Sequence, residues 1–188
     1  SATNLYMPSI MRDFPEFHYD EMKSRAENVL TSYLQSITKQ NPALLSEGTR
    51  ELKEQLRLRL EMLQNQSQKE SFENIHIHRT EIHQYRKQRG RQSIVLQTAV
   101  EYFHALKENG KVIRGSEEHK EQAKYNVELV YIQDQDMIEN QEDAGLGLNC
   151  PNCGAPLPGL GAKKCIYCDT PIVEYNLRVW NFSRVEEV

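Results

Sequence analysis

Residues 94–102 read IVLQTAVEY, and the reading of the whole fold turns on this stretch. Ile94, Leu96, Thr98, Val100 and Tyr102 fall at every second position, the period of a strand that buries one face. Most of them are β-branched or aromatic, types that suit a pleated, half-buried surface. Downstream, Asn109-Gly110 is the strongest short hairpin signal in the chain, because a two-residue type I′ turn needs φ > 0 at both positions. A third strand follows, with Tyr125, Val127, Leu129 and Tyr131 on one face. Upstream, Arg89-Gly90-Arg91 is a turn. Before it, Ile75 and Ile77 open a strand running to Gln88, in which Ile82 is out of phase and predicts a bulge. A fourth strand closes the chain. Val173, Tyr175, Leu177 and Val179 line one side of it, Trp180 and Phe182 the other.

Further upstream the period changes. Met22, Ala26, Val29, Leu30, Tyr33 and Ile37 follow helical spacing. Asp20 sits where an N-cap or first-turn carboxylate belongs, and Asn41-Pro42 ends the helix. Leu52, Leu56, Leu60 and Leu63 mark a second helix, whose other face carries Glu51, Glu54, Arg57 and Glu61 as solvated helical neighbours. It runs out in the polar tract 64–69. Residues 5–17 are apolar-rich and broken by Pro8 and Pro15, which predicts a short helix or irregular arm. One Arg stands against Asp13 and Glu16, so the basic face of a membrane-surface helix is missing. The arm is expected to fold over its own domain. Helices followed by strands predict an α+β fold, with N-terminal helices on one face of a curved, four-stranded antiparallel meander.

Hydrophobic residues make up 38% of the 188, enough for a core and against wholesale disorder. The net charge is −4, so nucleic acid is not an expected partner. Lys163, Lys164 and Arg178 are thin support for a nucleic-acid surface on an acidic chain. No apolar run reaches the ~18 residues that read as a membrane-spanning helix. The first residue is Ser rather than Met, which leaves room for an upstream segment, a membrane anchor included.

All four cysteines lie between positions 150 and 168, in two copies of one pattern: Cys150-Pro-Asn-Cys153-Gly-Ala-Pro and Cys165-Ile-Tyr-Cys168-Asp-Thr-Pro. A two-residue gap lets a tight turn present both sulfurs to one metal, and the residue after the second Cys needs positive φ. Gly154 meets that need freely, and Asp169 belongs to a type that visits the region. Two such knuckles supply four thiolates in a tetrahedral array. The spacing therefore predicts one structural metal ion held by Cys150, Cys153, Cys165 and Cys168, zinc ahead of a rubredoxin-like iron and ahead of a redox disulfide. Four thiolates and one divalent ion would take the net charge from −4 to −6. The module has no core of its own, so the metal supplies its folding energy, on the order of 10 kcal/mol. Reduced thiolates predict the cytoplasm, or the cytoplasmic face of a membrane.

Elsewhere, His76 and His78 alternate on one strand face. They read as the solvent side of a strand whose Ile75 and Ile77 point inward, since no acid partner is near in sequence. Tyr102, His104, Tyr125, Tyr131, Tyr175 and Trp180 are candidates to line a pocket between sheet and helices, though aromatic residues on strands are more often plain core. His104 and Glu128 are the residues an enzyme in that pocket would need. No nucleophile motif, phosphate loop or paired-carboxylate signature is present.

Two helices and a curved four-stranded sheet are similar to the nuclear-transport-factor-two-like (cystatin-related) architecture. Several stretches resemble bacterial relatives of the C-terminal domain of mitochondrial inner-membrane translocase subunit forty-four. They are Phe14-Pro-Glu-Phe17, the helix over 21–34, Glu51-Leu-Lys-Glu-Gln-Leu56, the strand over 72–82, Ala99-Val-Glu-Tyr-Phe103 and Tyr125-Asn-Val-Glu-Leu-Val-Tyr131. In one bacterial subgroup a ribbon of the form Cys150-Pro-Asn-Cys153-Gly-Ala-Pro precedes a last strand like Leu177-Arg-Val-Trp180. The resemblance implies a non-enzymatic binding or scaffold module, membrane-associated and linked to protein transport, with a protein partner. The alternative is a pocket enzyme of the isomerase or dehydratase kind, with a small-molecule ligand. The domains expected are an arm at 1–17, an α+β domain at 18–144 and 172–188, and a zinc ribbon insertion at 145–171.

Overall fold

A computed structural model describes residues 1–132, 152–155, 164–169 and 180–188. Three helices precede the sheet: α1 (Ala2–Asp13), α2 (Tyr19–Lys39) and α3 (Arg50–Asn65), with a 3-10 turn at Pro42–Leu44. Five strands follow: β1 (Gln68–Gln88), β2 (Arg91–Glu108), β3 (Lys111–Gly115), β4 (Glu121–Ile132) and β5 (Asn181–Glu187). All pairings are antiparallel. The order is β1-β2-β4-β5, with β3 also on β2. The fold is α+β, as the change of period predicts.

The inward register of the central strand is the one read from the sequence. Ile94, Leu96, Thr98, Val100 and Tyr102 are all buried, as are Tyr125, Val127, Leu129 and Tyr131 on β4. They share one core with Ala26, Val29, Leu30 and Ile37 of α2 and with Leu52, Leu56 and Leu63 of α3. Burying whole apolar side chains this way stabilises by about 1.5–3 kcal/mol each. The solvated face of α3 carries Arg57 between Glu54 and Glu61, at 2.6 Å from each. Asp20 stands in the first turn of α2, where a carboxylate meets the positive helix end. The helix stops at Gln40 in the left-handed region (φ 55°).

Three expectations are corrected and the bulge at Ile82 is found. Of the two forms expected for the N-terminal arm it takes the helical one, α1, so the helices number three rather than two. It does fold over its own domain: Ile10 is wholly buried, and Thr3 Oγ1 accepts from the Ile82 N–H at 2.9 Å. Pro8 is tolerated inside this short helix. The first strand opens at Gln68, not Ile75, because cross-strand partners on β2 extend to Glu108 and override the polar composition of 64–69. The bulge predicted at Ile82 is one of three register shifts in β1, and another contains Asn74 at φ 53°. Finally, the third strand is two pieces. Asn109 (φ 52°) and Gly110 (φ 78°) make the expected hairpin, but the returning chain leaves the edge of β2 after Gly115. It rejoins at Glu121, opposite Tyr102. Five strands therefore replace the four expected.

The cysteine-bearing segment lies between β4 and β5, which pair directly, Tyr125 with Glu187 and Val130 with Asn181. The predicted strand positions 173, 175, 177 and 179 lie outside the described residues, as does Arg178. Trp180 and Phe182 are buried. Trp180 takes edge contacts from Phe14 and Phe17 at 4.8 and 5.6 Å. Among the described residues no helix is long and apolar enough to cross a membrane.

Candidate functional site

Two knuckles bring three sulfurs together. The Sγ atoms of Cys153, Cys165 and Cys168 all lie within 4.8 Å of one another. Those of Cys153 and Cys165 are 3.6 Å apart, far beyond the ~2.05 Å of a disulfide. That separation is close to the ~3.8 Å edge of a tetrahedral thiolate site with 2.3 Å metal–sulfur bonds. No disulfide joins the three. Gly154 (φ 73°) and Asp169 (φ 59°) both adopt the left-handed conformation that the repeated pattern requires. In the second knuckle the Asp169 N–H donates to the Cys165 carbonyl at 2.9 Å, closing the turn. The Tyr167 N–H points at Cys165 Sγ (3.4 Å). Asn152 of the first knuckle donates to Cys168 Sγ of the second (3.7 Å). The donor set fits a metal ion. Cys150, the fourth expected ligand, lies outside the described residues, as does Lys163. Lys164 pairs with Asp169 at 3.6 Å on the surface.

A second constellation lies between α2, α3 and the sheet, in a cleft of about 710 Å³. Its floor is apolar, with Leu34, Ile37, Phe72 and Val185. One wall is a charged chain running from helix to strand to strand. Arg59 of α3 bonds the nearly buried Glu70 of β1 through Nε (3.0 Å) and Nη2. Glu70 Oε2 meets His104 Nε2 of β2 at 2.8 Å. His104 Nδ1 meets Glu121 of β4 at 3.0 Å. The His104 ring stacks on Phe72, centroids 4.8 Å apart. Burial alone would lower the His104 pKa. The hydrogen bond and charge of Glu70, with the charge of Glu121, outweigh it and leave the pKa raised. Burial would likewise raise the Glu70 pKa, but the bonds from His104 and Arg59 bring it below the ordinary carboxylate value. Both shifts favour imidazolium between two carboxylates.

Gly115 closes this corner. Its φ is +77°, and a Cβ there would stand 2.0 Å from the His104 carbonyl oxygen. The neighbouring Ser116 N–H donates to that same oxygen at 2.7 Å. Only glycine lets β3 approach so closely, and the approach carries Arg114 to the cleft mouth.

Of the residues named for a pocket, His104 and Tyr125 line the cleft and Tyr102 backs it, its hydroxyl 2.7 Å from that of Tyr125. Tyr131 and Trp180 instead pack with Phe14 in a separate aromatic cluster. Tyr175 lies outside the described residues. Glu128 does not line the cleft. It accepts from Ser183 Oγ (2.6 Å) and Arg91 (3.3 Å). His76 and His78 are exposed while Ile75 and Ile77 are partly buried against the core. An acid partner for His78 exists after all, in Glu101 across the sheet at 3.2 Å. Sequence reasoning missed Glu70, Arg59, Glu121, Tyr33 and Gln55. Glu70 sits in a polar tract, 34 residues from His104, and nothing local marks it. No family model and no curated protein matches the chain.

Proposed function

We propose that the chain is a non-enzymatic binding and scaffold module, in which a zinc ribbon braces a contact surface between the last two strands. The observation that carries this reading is the state of His104. Both of its ring nitrogens are engaged by carboxylates, and Glu70 is engaged in turn by His104 and Arg59. A general base needs a free lone pair within reach of substrate, and the best-placed group has none. The cleft is built to hold rather than to transform. In this reading Cys150, Cys153, Cys165 and Cys168 hold one zinc ion, which contributes folding energy and no chemistry, since four thiolates leave no open position.

The likeness to the translocase-tether family supports the same role, with a protein partner met on the cytoplasmic side of a membrane. So does the nuclear-transport-factor-two-like pattern of helices laid over an antiparallel sheet. The test is co-purification of a partner with the wild-type chain and with a variant carrying Ser at all four cysteines. Loss of the partner, with the thermal transition of the α+β domain intact, is expected. Retention of every partner would remove the ribbon from the contact surface.

The second reading is a pocket enzyme of the isomerase or dehydratase kind. One observation favours it: His104 and Glu121 do face a cleft of ligand size. Turnover of a carbonyl compound that disappears in His104→Gln would establish that reading and overturn the first.

A further inference from the structure

The cleft contains hydrogen-bond donors that the protein itself does not use. Tyr33 lines it and is only 6% exposed. Its hydroxyl oxygen accepts from Gln55 Nε2 at 2.9 Å, but its own proton has no acceptor among the described residues. Burial, the largest influence on Tyr33, raises its pKa, so the phenol stays a neutral donor. The Tyr102–Tyr125 pair repeats the situation: one proton joins the two oxygens, and the other has no acceptor among the described residues. The Arg114 side chain, at the mouth, makes no ion pair or hydrogen bond among the described residues, while its backbone lies in the ladder with β2. Of the carboxylates that line the cleft, Glu70 and Glu121 are already engaged, by Arg59 and His104, and Glu187 is the third. Each phenol is already bonded once and keeps a further proton to offer, so an occupant with acceptor oxygens would match this lining. The floor adds a second requirement, because Leu34, Ile37 and Phe72 offer no polar group to a ligand, and Leu58 and Met62 at the rim are exposed apolar side chains.

We infer that the cleft binds a compact apolar or aromatic carboxylate with a second acceptor oxygen, its carboxylate at Arg114 and its inner oxygen at Tyr33. The volume, about 710 Å³, lies in the range of small-molecule sites. Glu187 at the same mouth discriminates against dianions, which would face its charge. The inference rests on reading the chain as a binding module and names the ligand chemistry of that module.

Three probes separate its parts: 4-oxo-4-phenylbutanoate, with both groups; 4-phenylbutanoate, without the ketone; and butyrophenone, without the carboxylate. Binding is followed by chemical-shift perturbation of the folded chain, in wild type, Arg114→Gln and Tyr33→Phe. Arg114→Gln is expected to weaken both carboxylates about tenfold and to leave butyrophenone unchanged. Tyr33→Phe is expected to weaken both ketones several-fold and to leave 4-phenylbutanoate unchanged. Arg114 is exposed and Tyr33→Phe is nearly isosteric, so both variants are expected to fold, and the spectra report this directly. Binding of butyrophenone with indifference of all probes to Arg114→Gln overturns the carboxylate assignment and leaves the cleft a binding site. Absence of binding by all three overturns the ligand site, while the cysteine variant still tests the scaffold reading separately.

Discussion

Gln55 reaches from α3 to the outer edge of β5, where its amide donates to the Val185 carbonyl and accepts from the Val185 N–H at 3.3 Å. One side chain thus occupies both backbone groups of an edge residue that a further strand would otherwise pair. Thr49, the N-cap of α3, does the same with its backbone N–H on the Phe182 carbonyl at 2.8 Å. Gln55→Leu removes both bonds to Val185 and the bond to the Tyr33 hydroxyl, leaving the two backbone groups of Val185 without this partner. It is expected to lower the unfolding free energy by about 1–3 kcal/mol, read from the urea midpoint. An unchanged midpoint would show that water replaces the amide without loss. His104 carries a pH dependence with a definite sign. Its folded pKa is raised above the ordinary 6.5, so its contribution is complete below that value and is lost as pH rises through the folded pKa. Glu70 is lowered below 4.5, so its contribution is complete above 4.5 and is lost as pH falls through its folded pKa. Both operate fully between 4.5 and 6.5. The stability difference between wild type and His104→Gln is expected to be largest in that window and to shrink toward pH 9. A difference that grows with pH would mean a neutral imidazole in the fold.

Among the elements, α1 shows what composition leaves undecided. Two prolines and an apolar run leave helix and arm equally open in the sequence, and only packing on β1 decides between them. Ile10 is fully buried in the common core, and Tyr85 of β1 donates to Asp13 at the end of α1, at 2.7 Å. Ile10→Ala is expected to cost about 2–5 kcal/mol, measured by denaturation. A cost below 1 kcal/mol would make α1 a loosely laid arm. The strands were more legible. Alternation at 94–102 and 125–131 identifies the buried face because side chains on a strand have a period of two. The break between β3 and β4 was not legible. It depends on Gly115 meeting the His104 carbonyl, a contact across the sheet rather than along the chain.

For the whole molecule, the metal and the sheet are expected to separate energetically. The cysteine-bearing segment is inserted between paired strands, and the core residues of the α+β domain belong to one cluster in which none of the described cysteines takes part. Treatment with a strong chelator is expected to release the one metal ion proposed per chain and to expose the thiols to reagent. The cooperative thermal transition of the domain would remain. Loss of that transition on chelation would make the ribbon part of the folding unit. The sequence by itself determined what is local. A CxxC knuckle closes within a few residues, so spacing alone brings two sulfurs together, and Gly154 and Asp169 take the backbone conformation their positions demand. Strand faces and helix faces are local in the same sense, being set by the period of the chain. The charged wall of the cleft is not local. Arg59, Glu70, His104 and Glu121 come from four elements; His104 was a candidate from the sequence, but nothing local marked the other three as its partners. Their meeting depends on three register shifts in β1, the hairpin at Asn109-Gly110 and the departure of the chain at Gly115. Only the tertiary structure decided it, because a slip of one residue in any of these pairings would turn the same side chains to the opposite face.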